Sequence, residues 1–128
     1  MNDHDLSDLG ELEREVLRIV WRLGSASADA VRAEVAKPLK ESTVRTVLRR
    51  LEGKGHLTHT VSGRTFIYRA AEVRGRAAAR AVKRIADWFC EGSVAEVVAG
   101  LVDARLLDQK ELADLTQKIA KAKGGIRK

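Results

Sequence analysis

Between Lys40 and Leu57 a single run of sequence carries two faces of opposite character at helical spacing. Val44, Val47, Leu48 and Leu51 recur at i, i+3, i+4 and i+7, the pattern of a helix that buries one side. The other side carries Ser42, Thr43, Arg45, Thr46, Arg49 and Arg50. Arginine can make two parallel hydrogen bonds to guanine O6 and N7, and short hydroxyl side chains beside it reach base edges or phosphates. The run therefore reads as a DNA recognition helix. Charge agrees with that placement: Lys37 to Arg69 holds eight basic and two acidic residues, whereas Met1 to Ala36 holds four basic and eight acidic. A local positive excess attracts phosphate and releases counterions. A solvated basic face would give the same count, so charge alone does not choose between them.

The flanking sequence supplies the rest of a DNA-binding fold. Leu9, Leu12, Val16, Ile19, Val20 and Leu23 share one helical face, widened by Leu17 and Trp21, and Gly24 is a natural stop. A second helix is expected from Ser27 as N-cap to about Ala36, with Val31 and Val35 on its buried side. Lys37-Pro38-Leu39 breaks it, because proline has no N–H and disfavours helix at the residue before it. The recognition helix should then close near Gly53 or Gly55. Beyond Gly55 the period changes to alternation: Leu57, His59 and Val61 share a strand face, Ser62-Gly63-Arg64 supplies turn chemistry, and Thr65 to Arg69 is rich in strand formers. Three helices followed by a hairpin with an arginine in its turn is the order of a winged helix-turn-helix. Arg64 would then lie against the phosphate backbone or in the minor groove.

The last third is helical in pattern throughout. Ala77, Ala78, Ala81, Val82, Ile85, Trp88 and Phe89 form a stripe ended by Glu91-Gly92. Ser93 to Glu96 and Asp108 to Glu111 both match a capping box, and Leu107 and Leu112 stand where a hydrophobic staple would form. Fifty or so residues are too few to enclose a core of their own. The apolar seams therefore need a partner, and a second copy is favoured over the winged domain, because dimers of such proteins bring two recognition helices to two half-sites. The expected fold is mainly α with a small β-hairpin wing: a winged helix-turn-helix domain over residues 1–71 and a helical dimerisation region over residues 72–128. The residues nominated for dimerisation are Val82, Ile85, Trp88, Phe89, Val97, Val98, Leu101, Leu112, Leu115 and Ile119.

Other function classes find little support. The 128 residues contain no GxxxxGK[ST], GxSxG or HExxH pattern and no paired cysteines, so no enzyme, catalytic residue or cofactor is expected. Gly53-Lys54-Gly55 reads as a helix end rather than a phosphate cradle. His56 and His59, if both lie on a strand, leave on opposite faces and do not suit one metal ion. Cys90 has no partner in the chain for a disulfide, and its neighbours Trp88 and Phe89 suggest a buried, structural thiol. With 4% aromatic residues a base-stacking platform is disfavoured, which favours double-stranded DNA over single strands or RNA. No run approaches a membrane span and Met1-Asn-Asp-His-Asp5 is not a leader, so the expectation is a cytoplasmic protein without membrane insertion.

Three segments together resemble the penicillinase-repressor family, the BlaI/MecI type. They are Leu9 to Trp21 (LGELEREVLRIVW), Ser42 to Leu51 (STVRTVLRRL) and Lys110 to Leu115 (KELADL). The resemblance implies a homodimeric winged-helix repressor, with base reading at Thr43, Arg45 and Thr46. The resemblance also implies a candidate sensor protease as partner, because members of this family are often inactivated when a membrane sensor triggers cleavage in the C-terminal region at an Asn-Phe bond. Alignment on Lys110-Glu111 puts Gly100-Leu101 at that bond. The paired Cys-x-Cys motifs of copper-responsive relatives are also missing. The leading expectation is a repressor that occupies a palindromic operator. The alternatives are a winged-helix module that binds protein through the C-terminal seams, and a small-molecule-sensing regulator with a pocket around Trp88 and Phe89.

Overall fold

The computed structural model describes residues 6–126; Met1–Asp5, on which the reading of the leader rests, and Arg127-Lys128 lie outside it. A short 3-10 turn, Leu6–Asp8, precedes helix α1 (Glu11–Leu23). Glu13 starts this helix by accepting the Gly10 N–H on Oε1 at 2.9 Å. Gly24 ends it, donating to the Val20 carbonyl at 2.8 Å with a positive φ of 84° that suits a residue lacking Cβ. In α2 (Ala28–Glu34) the Ser27 hydroxyl accepts from the Ala30 N–H at 3.1 Å, so the expected cap is present. This helix stops two residues before Ala36. Val35 is already extended, and the Ala36 N–H donates to the Glu15 carboxylate at 2.7 Å rather than continuing the helical ladder.

Helix α3 (Glu41–Gly53) has Val44, Val47, Leu48 and Leu51 buried, as the periodicity predicts. Its end is closed by the His56 N–H donating to the Leu51 carbonyl at 2.9 Å, across Gly55 at φ 88°. Strands β2 (Leu57–Ser62) and β3 (Thr65–Ala70) pair antiparallel with Ser62 opposite Thr65, which leaves a two-residue turn of Gly63 and Arg64. Glycine at the first turn position with φ 64° is the signature of a type II′ connection, whose twist matches that of the strands. A third strand, β1 (Ser25–Ala26), was not anticipated. It pairs with Arg69 and Tyr68 and makes the sheet order β1-β3-β2. Two residues are too few to show an alternating pattern.

One core joins these elements. Val16, Leu17 and Val20 of α1, Val31 of α2, Val44, Leu48 and Leu51 of α3, Leu57 of β2 and Tyr68 of β3 are all buried in it. Leu23, expected on the buried stripe of α1, is exposed instead; it is the last residue of the helix. This is a mainly helical winged helix-turn-helix with a three-stranded antiparallel sheet, followed by further helices.

The chain divides into two units, one reaching Arg84 and one starting at Ile85, and the division falls within α4 (Arg74–Phe89). The second unit continues with α5 (Val94–Asp103) and α6 (Gln109–Ile126). Ser93 caps α5 by accepting the Glu96 N–H at 3.1 Å. At α6 the capping box is complete: the Glu111 N–H donates to Asp108 Oδ1 at 2.7 Å, and the Asp108 N–H donates to Glu111 Oε1 at 3.0 Å. The expectation for Cys90 needs correction in part. The thiol is half-buried, but its neighbours Trp88 and Phe89 are 52% and 77% exposed. Burial and the adjacent Glu96 carboxylate push the thiol pKa up.

Candidate nucleic-acid interface

Burial of four aliphatic residues orients α3. With Val44, Val47, Leu48 and Leu51 in the core, the helical repeat turns Ser42, Arg45, Thr46, Arg49 and Arg50 to solvent, and Thr43 lies half-buried at the edge of that face. The wing places Arg64 by a different rule. In a two-residue hairpin turn the side chains project beyond the ladder, and Arg64 is exposed there. An open cleft of about 270 Å³ runs between the two elements, lined by Arg45 and Arg49 of α3, Arg64, Thr65, Phe66 and Tyr68 of the wing, and Ser27, Asp29 and Glu41. Three of the nominated arginines therefore meet in one cleft. Ser42, Thr46 and Arg50 stand on the exposed face of α3 outside its lining.

Two of the polar side chains on α3 are engaged within the helix. Arg45 Nη2 lies 3.2 Å from Glu41 Oε2, an exposed pair one turn apart. The Thr46 hydroxyl donates to the Ser42 carbonyl at 2.9 Å, which leaves its oxygen free to accept but turns its proton away from solvent. The exposed ion pair is worth little and exchanges readily for another anion.

Lys54, read from sequence only as part of a helix end, ties α3 to α1. Its ammonium lies 3.0 Å from both oxygens of Glu13. Burial opposes charge on that carboxyl, yet the Gly10 N–H and Lys54 outweigh it and hold the pKa below the ordinary carboxylate value. Phe66 and Tyr68 line the cleft but are not among the nominated site residues, nor are Ser27, Ala28, Asp29, Glu41 and Thr65; strand alternation does place Phe66 and Tyr68 on the face of Leu57 and His59. His56 lies outside β2, buried just before it, while His59 is half-buried within it.

Residues 9–121 match the model of a family described as the penicillinase repressor. An uncharacterized 16.5 kDa protein from the ptsI 3′ region of Latilactobacillus sakei is 33% identical over 109 residues, covering 82% of this chain and 73% of that protein. A penicillinase repressor of Bacillus licheniformis is 34% identical over 65 residues, covering 49% of this chain and 51% of its own length. Similar solved structures include the following two. The DNA-binding domain of the repressor BlaI has 29% identity and a TM-score of 0.48, over 52% of this chain and 84% of that one. A protein described as a possible transcriptional regulator for arsenical resistance has 21% identity and a TM-score of 0.52, over 78% of this chain and 96% of that one, a likeness of fold.

Proposed function

Because this chain belongs to the penicillinase-repressor family of DNA-binding transcriptional repressors, we propose that it acts as a homodimer that occupies a palindromic operator in the cytoplasm. The observation that carries the reading is the cleft in which Arg45 and Arg49 of α3 face Arg64 of the wing. Arginines from two elements that converge on one groove suit a duplex whose major groove receives the helix while the wing grips the adjacent backbone. On this reading Arg45, with Thr43 and Thr46, reads bases. Ser42, Arg49, Arg50 and Arg64 hold phosphates.

Residues 72–128 serve as the dimerisation region and residues 1–71 as the DNA-binding domain. Support comes from unit two, where Ala86 alone is buried among the described residues and Ile85, Trp88, Phe89, Leu115 and Ile119 are exposed. Large apolar side chains left in water mark an interaction surface. Val82 and the half-buried Val97, Val98, Leu101 and Leu112 complete the set assigned to the interface. Any sensor protease that releases this repressor would cut at a bond other than Asn-Phe, since Gly100-Leu101 stands in that place on α5.

Binding-site selection with two variants tests the assignment. Arg45→Ala should lose preference at one base pair of each half-site, a discrimination of about 1–3 kcal/mol for a bidentate guanine contact. Arg64→Ala should weaken binding to all sequences alike and reduce the slope of log affinity against log salt by about 1. An Arg45→Ala protein that keeps the wild-type base preference removes α3 from its role as reader.

A further inference from the structure

A side-chain cluster beside the cleft joins the recognition helix to both strands of the wing. Glu52 lies in the last turns of α3, His59 in β2, and Phe66 in β3 two residues beyond Arg64. His59 Nδ1 is 2.7 Å and 2.9 Å from the two Glu52 oxygens. A carboxylate only accepts hydrogen bonds, so Nδ1 carries the proton and donates. The imidazole also lies flat on the Phe66 ring, with centroids 4.2 Å apart and planes 8° from parallel. Tyr68, buried in the core, packs at a tilt against both rings, 5.6 Å from His59 and 6.3 Å from Phe66.

The register of the hairpin does not depend on these contacts, because its strands are paired along their whole length by the backbone ladder. The cluster ties the hairpin to the helix, alongside the shared core that buries Leu57 and Tyr68, and so bears on the angle between them. Phe66 lines the same cleft as Arg45, Arg49 and Arg64, so that angle sets the gap between the helix arginines and the wing arginine. We propose that His59 is a positioning residue for DNA binding: bonded to Glu52 and stacked on Phe66, it holds the wing so that Arg64 meets the backbone while α3 sits in the major groove. Freed of the strut, the wing samples a wider arc, and the entropy of ordering Arg64 is charged to the binding step. The inference rests on the wing contact proposed above and adds the device that orients it.

The test is a double-mutant cycle on the full chain, with wild type, His59→Ala, Arg64→Ala and the double variant. The probes are the duplex recovered by wild-type binding-site selection and a scrambled duplex of equal length. Thermal unfolding establishes that each protein is folded at the assay temperature, and a parallel cycle with His59→Leu, which fills the space without a donor for Glu52, serves if the alanine variant is not. The expected result is that His59→Ala weakens binding about fivefold, within the coupling range of residues in one network, and that the loss nearly vanishes when Arg64 is already alanine. A residue that only supported the fold would cost the same in both backgrounds, so additive losses overturn the inference. If Arg64→Ala itself binds as tightly as wild type, the wing contact fails and the inference falls with it.

Discussion

At the scale of single residues, Glu13 shows how one carboxyl can hold two helices together. It starts α1 through the Gly10 N–H and receives Lys54 from the end of α3. Its folded pKa is held below the ordinary value of 4.5, so the stability it contributes is present above that value and is lost as pH falls through the folded pKa. Glu13→Gln should therefore destabilise the protein by about 1–3 kcal/mol near neutral pH, since it removes a charge-assisted bond to a partly buried partner. Denaturant melts at pH 7 and at pH 3 check this. The gap between variant and wild type should narrow in acid, and a gap that stays constant would remove ionisation as its cause. The sequence did not disclose this pair, because Glu13 and Lys54 are 41 positions apart and each looks like an ordinary surface residue. The residues of the apolar stripes were legible, since periodicity alone places Val44, Leu48 and Leu51 in the core.

Elements were legible where they were long or chemically marked. The Ser27 cap, the Asp108 box and the change of period after Gly55 each left a signature of several residues. Strand β1 left none, and the early end of α2 depends on a hydrogen bond from Ala36 to Glu15 that no local pattern encodes. The wing turn is the clearest case of local chemistry setting an element. Gly63 has φ 64°, and a Cβ there would meet nothing within 4 Å, so the demand on this position comes from the backbone alone. Gly63→Ala is expected to cost about 1–2 kcal/mol, the penalty for an L-residue in the left-handed region. Amide exchange should show the loss confined to β2 and β3 while α1 to α3 keep their protection. Uniform loss across the core would mean that the hairpin and the helices unfold as one.

For the whole molecule the proposed dimer makes the strongest demand. Leu101 is half-buried on α5, and a carboxylate placed there without a partner in an apolar interface would cost several kcal/mol unless the interface opened. Leu101→Asp should thus sediment as a monomer and bind a palindromic duplex far more weakly than wild type, while its affinity for a single half-site is unchanged. A variant that remains dimeric and binds the palindrome with unaltered affinity would exclude α5 from the interface. That unit two buries only Ala86 among its described residues has a consequence for gene control. If its apolar side chains are covered only by a second copy, promoter occupancy below the dimerisation constant rises with the square of the number of chains in the cell. Dilution by growth, or modest loss of chains to proteolysis, would then open the promoter more sharply than the change in copy number itself.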